Sequence, residues 1–151
     1  EELCREHGIF IHIVTGPGYS GFDRLSSEIA SKKGVSLTHA SGVISGIMEK
    51  VQIAITSNGR TPYELAHMNI PAIVISQHKR EMTHTFAQEK NGFIQLGLYQ
   101  AGITEKRVAS VLEELIRDPK RRHTLFNHLT PYRFSENKQS ETANEPPASI
   151  L

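Results

Sequence analysis

The chain has 151 residues, with 17 Lys and Arg against 16 Asp and Glu and a formal charge of +1. That length allows one domain with a real core, and the balanced charge gives no footing for nucleic acid. Cys4 is the only cysteine, which excludes an intrachain disulfide and points to a reducing compartment.

In chain order, residues 1–7 read as the end of a helix. Residues 9–14 are apolar except for His12, the pattern of a parallel strand buried on both faces. Thr15-Gly16-Pro17-Gly18-Tyr19-Ser20-Gly21 follows as a loop, then a helix over 22–33 that Gly34 ends. A short strand over 35–38, a short helix over 43–50 and a strand over 51–55 come next. A polar loop then leads into a short helix and a strand over 70–75. A helix is expected over 81–90, stopped by Asn91-Gly92, with a further strand over 93–96. Thr104 is expected to cap a helix carrying Val108, Val111, Leu112 and Leu115 on one face. Asp118-Pro119 starts another, with Leu125, Phe126 and Leu129 on one side.

Alternating strands and helices of these lengths predict an α/β domain over 1–130, a parallel sheet with helices on both faces. Residues 131–151 are expected to be a polar tail. Rich in Ser, Glu, Asn and Pro, that segment buries too little surface to offset its ordering entropy. Disorder is the expected state, and a strap across the domain is the alternative. No apolar run approaches the roughly 20 residues of a membrane span, and no signal-peptide pattern opens the chain. The expected location is cytoplasmic.

The most informative segment is Thr56-Ser57-Asn58-Gly59-Arg60-Thr61-Pro62-Tyr63-Glu64. A loop that feeds a helix at the carboxyl end of a parallel strand presents free backbone N–H groups, which suits phosphate. Thr61 fits the N-cap, Pro62 the first helical position, and Glu64 lies three residues after the cap. Two readings of Thr61 and Glu64 stand side by side. They form a reciprocal capping box, or Glu64 accepts the two hydroxyls of a ribose.

Other chemistries lack support. The eight histidines show no metal-ligand spacing, and no serine sits on a nucleophile elbow. Gly16-x-Gly18-x-x-Gly21 matches a dinucleotide fingerprint in form, but His39 follows the next strand where an acidic residue belongs. No catalytic residue, cofactor or metal is therefore expected.

Ser57-Asn58-Gly59-x-Thr61-x-x-Glu64, then Ile70-Pro71-Ala72, then Gln77-His78-Lys79, resemble the C-terminal half of two-domain glycosyltransferases of the GT-B fold. The similarity is to the lipid II-forming N-acetylglucosaminyltransferases, the UDP-sugar hydrolases of pseudaminic acid synthesis, and transferases of bacterial surface and spore-coat polysaccharides. The Gly16-Pro17-Gly18 loop resembles the hydrolase group. The resemblance implies a Rossmann-like domain, one half of a GT-B fold, that binds a nucleotide-sugar, with UDP-sugar expected. It assigns the ribose hydroxyls to Glu64, the pyrophosphate to Asn58, Gly59, Arg60 and Thr61, and the uracil to backbone groups of Gly42 and Val43. It places Gln77 and His78 beside the donor sugar, and adds Gly16 and Gly18.

Two departures limit what carries over. Where the lipid II enzymes place two glutamines, this chain has Met82 and Thr83, so their sugar specificity does not transfer. Family halves also open with a strand and a Gly-rich loop, and this chain is expected to lack that first strand. An N-terminal domain outside this chain is the expected partner, since it carries the acceptor site in that family. The chain alone is then inactive, and self-association through an open sheet edge is expected. A hydrolase or 2-epimerase on the same fold, and a non-catalytic nucleotide-sugar module, remain as alternatives.

Overall fold

The computed structural model describes residues 2–39, 44–132 and 147–151. It is an α/β domain built from two three-stranded parallel sheets, in the order β2-β1-β6 and β3-β4-β5. The strands are β1 (Phe10–Thr15), β2 (Val35–His39), β3 (Ala54–Ser57), β4 (Ala72–Ser76), β5 (Phe93–Leu98) and β6 (Ser149–Ile150). The helices are α1 (Glu2–Glu6), α2 (Phe22–Ile29), α3 (Ser45–Met48), α4 (Thr61–His67), α5 (Thr104–Arg117) and α6 (Pro119–Leu129). The expected α/β class with helices on both faces is the observed one.

Alternating side chains on the strands divide the core into two layers. Ala54, Ala72, Val74 and Phe93 pack with Met48, Leu65 and Ala66 on one face. Ile53, Ile73 and Leu96 pack with Leu112, Leu115 and Leu125 on the other. A strand covered on both faces reads as a continuous apolar run, which is how β4 appears in the sequence.

Helix ends follow local chemistry. Asp118 caps α6 by accepting the Arg121 N–H at 3.0 Å. The buried Arg122 Nη1 donates to the carbonyls of Leu115 and Ile116 at 2.5 and 2.9 Å, satisfying acceptors that α5 leaves unpaired at its end. Thr104 does not cap α5. Ile103 takes that position, and Thr104 Oγ1 accepts the Gln100 N–H at 2.9 Å.

The helix expected over 81–90 is replaced by two 3-10 turns, Lys79–Thr83 and Glu89–Asn91. Side chains take the carbonyls that a helical ladder would use. Asn58 Nδ2 donates to the carbonyls of Glu81 and His84 at 2.7 and 3.2 Å, and Asn91 Nδ2 donates to that of Phe86 at 2.7 Å.

The end of the chain departs most from a loose polar tail. Residues 133–146 lie outside the described residues, but residues 147–151 are docked in the middle of the sheet. β6 pairs with β1 through Phe10–Ser149 and Ile11–Ile150, and Ile150 forms a parallel bridge to Ile53. The Leu151 N–H donates to the Ile53 carbonyl at 3.0 Å, and the Ile55 N–H to the Leu151 carbonyl at 2.7 Å. Burial of Ile150, which is 2 % exposed, supplies the apolar area that composition over the whole segment conceals. Residues 147–151 thus behave as the strap, and β6 joins the two sheets into one array.

Candidate functional site

β1 and β3 run parallel on either side of β6, and β6 is shorter than both. Their carboxyl ends therefore stand apart and open a cleft of about 770 Å³. Ile150 and Leu151 lie along it, β1 forms one wall and Ile55, Thr56 and Ser57 the other. Gly16 sits at the mouth on the β1 side, with Thr61 and Glu64 of α4 on the β3 side. In an open parallel sheet a crevice beyond the strand ends, where the order of connection reverses, is the usual ligand position. Here the chain leaves β1 outward to β2 and leaves β3 the other way to β4.

The helix start lacks the capping box that is one of the two readings of Thr61 and Glu64. α4 begins at Thr61 with Arg60 in the cap position, and no side chain caps it. Pro62 lies in the first turn, where its missing N–H costs nothing. Thr61 and the exposed Glu64 line the cleft instead.

The other expected residues spread around this mouth. Asn58 is 1 % exposed, and its amide is committed to the Glu81 and His84 carbonyls with a longer contact to Ser76 Oγ at 3.4 Å. Its side chain braces the loop. Gly59 follows with room for a methyl group, the nearest atom being Ser57 Oγ at 3.7 Å from a Cβ placed there. Arg60 is exposed and does not line the cleft. Gln77 and His78 are exposed at the end of β4, outside the cleft wall. The Gln77 N–H donates to Glu81 Oε2 at 2.7 Å. On the β1 side the Tyr19 N–H closes a turn onto the Gly16 carbonyl at 3.1 Å, and Gly18 lies in that turn away from the cleft. Gly42 and Val43 lie outside the described residues.

Comparison with protein-family models, with curated proteins and with solved structures finds no match. The chemistry of the cleft therefore carries the functional reading.

Sequence reasoning missed His12 as a wall residue. It lies half-buried on β1, with Nδ1 3.1 Å from Ser36 Oγ and its ring 4.8 Å from that of Phe10. Burial, and then the Lys50 charge, push its pKa below the usual 6.5. The signal was present, since His12 is the one polar interruption of an apolar run. Thr15 was also missed. Its Oγ1 is 2.9 Å from His39 Nδ1, which ties the mouth to the end of β2. Among the described residues no group of three His, Cys, Asp or Glu side chains is placed to hold a metal ion, and no helix is long and apolar enough to cross a membrane.

Proposed function

We propose that this domain is the donor-nucleotide-binding half of a sugar-nucleotide-dependent glycosyltransferase of surface polysaccharide or glycan synthesis. The observation that carries this reading is that Thr61 and Glu64 line the cleft at the strand ends while no side chain caps α4. Glu64 presents a carboxylate able to accept two vicinal hydroxyls of a ribose, and charged acceptors make the stronger hydrogen bonds. The pyrophosphate is assigned to the backbone N–H groups of Gly59, Arg60 and Thr61, of which Thr61 lines the cleft. The buried Asn58 acts beneath them by fixing the loop, so its role is positioning. Gly16 bounds the opposite rim. The donor is a UDP-sugar, and its sugar extends toward Gln77 and His78.

Calorimetry with UDP, UMP and uridine tests the reading. UDP is expected to bind more tightly than UMP, and UMP more tightly than uridine, because each added phosphate meets further loop N–H groups. Equal affinity for UDP and UMP would remove the phosphate role of residues 58–61. No binding of any nucleotide diphosphate would overturn the proposal.

A further inference from the structure

The loop that enters α4 holds a run of unused donors. The Asn58 N–H is taken by the Ile75 carbonyl at 3.2 Å, and the Tyr63 N–H by the Arg60 carbonyl at 3.0 Å. Between them Pro62 has no N–H to give. Among the described residues no hydrogen bond engages the N–H groups of Gly59, Arg60 or Thr61. Gly59 and Thr61 are half-buried and Arg60 is exposed, so the three are open to a solute. Successive backbone N–H groups on one side of a turn form a concavity for anions, and a carbonyl turned into it opposes the effect. The direction of each peptide group therefore decides what the loop accepts.

The Asn58–Gly59 peptide is the one most in need of a lock. Glycine offers the chain little resistance to rotation. A Cβ at Gly59 would meet only Ser57 Oγ, at 3.7 Å, so packing does not hold the peptide either. The Asn58 amide is spent on the carbonyls of Glu81 and His84. What holds the peptide is the bond between His84 Nδ1 and the Asn58 carbonyl, at 2.6 Å. A carbonyl has no proton to give, so Nδ1 carries the hydrogen. The peptide is trans, and its C=O and N–H therefore point in opposite directions. With the C=O tied to His84, the Gly59 N–H is turned to the other side of the loop, where no protein group answers it. His84 is itself anchored, since its N–H donates to the Glu81 carbonyl at 3.1 Å and its carbonyl accepts from Asn58 Nδ2.

We infer, resting on the nucleotide reading above, that His84 is a positioning residue that sets the anion selectivity of this loop. By holding the Asn58 carbonyl it presents the Gly59 N–H to the pyrophosphate and keeps the carbonyl oxygen from facing it. His84 touches no ligand and acts only through the Asn58–Gly59 peptide. Without its donor that peptide is free to turn over, and the loop then offers an acceptor where the anion needs a donor. The effect falls on the phosphates and not on the nucleoside, because the peptide lies in the segment assigned to the pyrophosphate.

The test titrates the isotope-labelled full chain with inorganic pyrophosphate, UDP and uridine and follows the backbone amide resonances. Pyrophosphate and UDP are expected to shift the Gly59, Arg60 and Thr61 amides, and uridine is expected to leave them in place. His84→Phe keeps a ring and removes the donor. It is expected to lose about tenfold or more in affinity for pyrophosphate and UDP, the effect of one hydrogen bond to a charged group. Its uridine affinity should be unchanged. His84→Asn, whose amide can offer a donor where Nδ1 stands, is expected to restore most of the loss. Equal losses for UDP and uridine would make His84 purely structural and overturn the inference. So would full pyrophosphate affinity in His84→Phe, or pyrophosphate binding that leaves the Gly59 amide unmoved. If His84→Phe fails to fold, the same comparison of His84→Asn with His84→Ala decides. Pyrophosphate binding at Gly59 without any binding of UDP would overturn the nucleotide reading alone, and no response to either would overturn both.

Discussion

Asn58 and His84 hold each other by two hydrogen bonds that run in opposite directions. Asn58 Nδ2 donates to the His84 carbonyl at 3.2 Å, and the Asn58 carbonyl accepts from His84 Nδ1 at 2.6 Å. The 3-10 turn Lys79–Thr83 is thereby locked against the loop that follows β3. Asn58→Ala is expected to destabilise the domain by about 1 to 2 kcal/mol, because the Glu81 and His84 carbonyls that lose their partner are only part-buried. Amide exchange over residues 79–84 should accelerate with it, and unchanged exchange there would separate Asn58 from that turn.

Glu64 allows stability and binding to be read separately. Glu64→Gln is expected to weaken UDP binding by about 1 to 3 kcal/mol, the range for hydrogen bonds to a charged group. Its melting temperature should stay within error of the unaltered chain, because no side-chain cap is present to lose. A lower melting temperature with unchanged UDP affinity would return Glu64 to a structural role.

Gly92 adopts φ of 83°, and a Cβ placed there would collide with the Leu129 side chain and approach the Leu125 carbonyl at 2.7 Å. The strained backbone and the overpacking against α6 act together. Gly92→Ala is expected to cost at least about 2 kcal/mol in chemical denaturation. A loss below half of that would mean that α6 moves aside freely.

His12 links stability to pH. Its folded-state pKa lies below the usual 6.5, so the unfolded chain binds the proton more readily. Its contribution is present above the unfolded value and is lost as pH falls below 6.5 through the folded value. The stability difference between the unaltered chain and His12→Gln should therefore shrink steadily on acidification below that point. A difference that is flat from pH 7.5 to pH 5 would show that His12 carries no such linkage.

The aromatic group beside α4 offers a check on packing. Tyr63 and Phe86 stack with centroids 4.3 Å apart, and Phe86 meets Tyr132 edge-on at 5.3 Å. Phe86→Ala is expected to cost about 2 to 3 kcal/mol if the site cannot collapse, below the range for a fully buried ring because Phe86 is only partly buried. The measurement is again denaturant unfolding, and a cost under about 1 kcal/mol would show that Tyr63 and Tyr132 close the space.

The amino-acid order by itself determined the α/β class, the strands and helices from α1 to α6 apart from the 81–90 segment, and the place of the polar loop before α4. These rest on short-range patterns, apolar runs and turn residues, which act within a few residues of chain. Val108, Leu112 and Leu115 face the core as their spacing requires, and Asp118 caps α6 as its position before Pro119 suggests. Tertiary structure decided the rest. Carbonyls of the 81–90 segment were taken by Asn58, which lies more than twenty residues away in the chain, so local helical signals could not prevail there. The same distance effect turned Asn58 into a brace and left Thr61 and Glu64 in the cleft. It also drew Ile150, at the end of a segment polar on average, between β1 and β3. A buried apolar side chain with main-chain partners on both sides outweighs the composition of its neighbours, and only the assembled sheet supplies those partners.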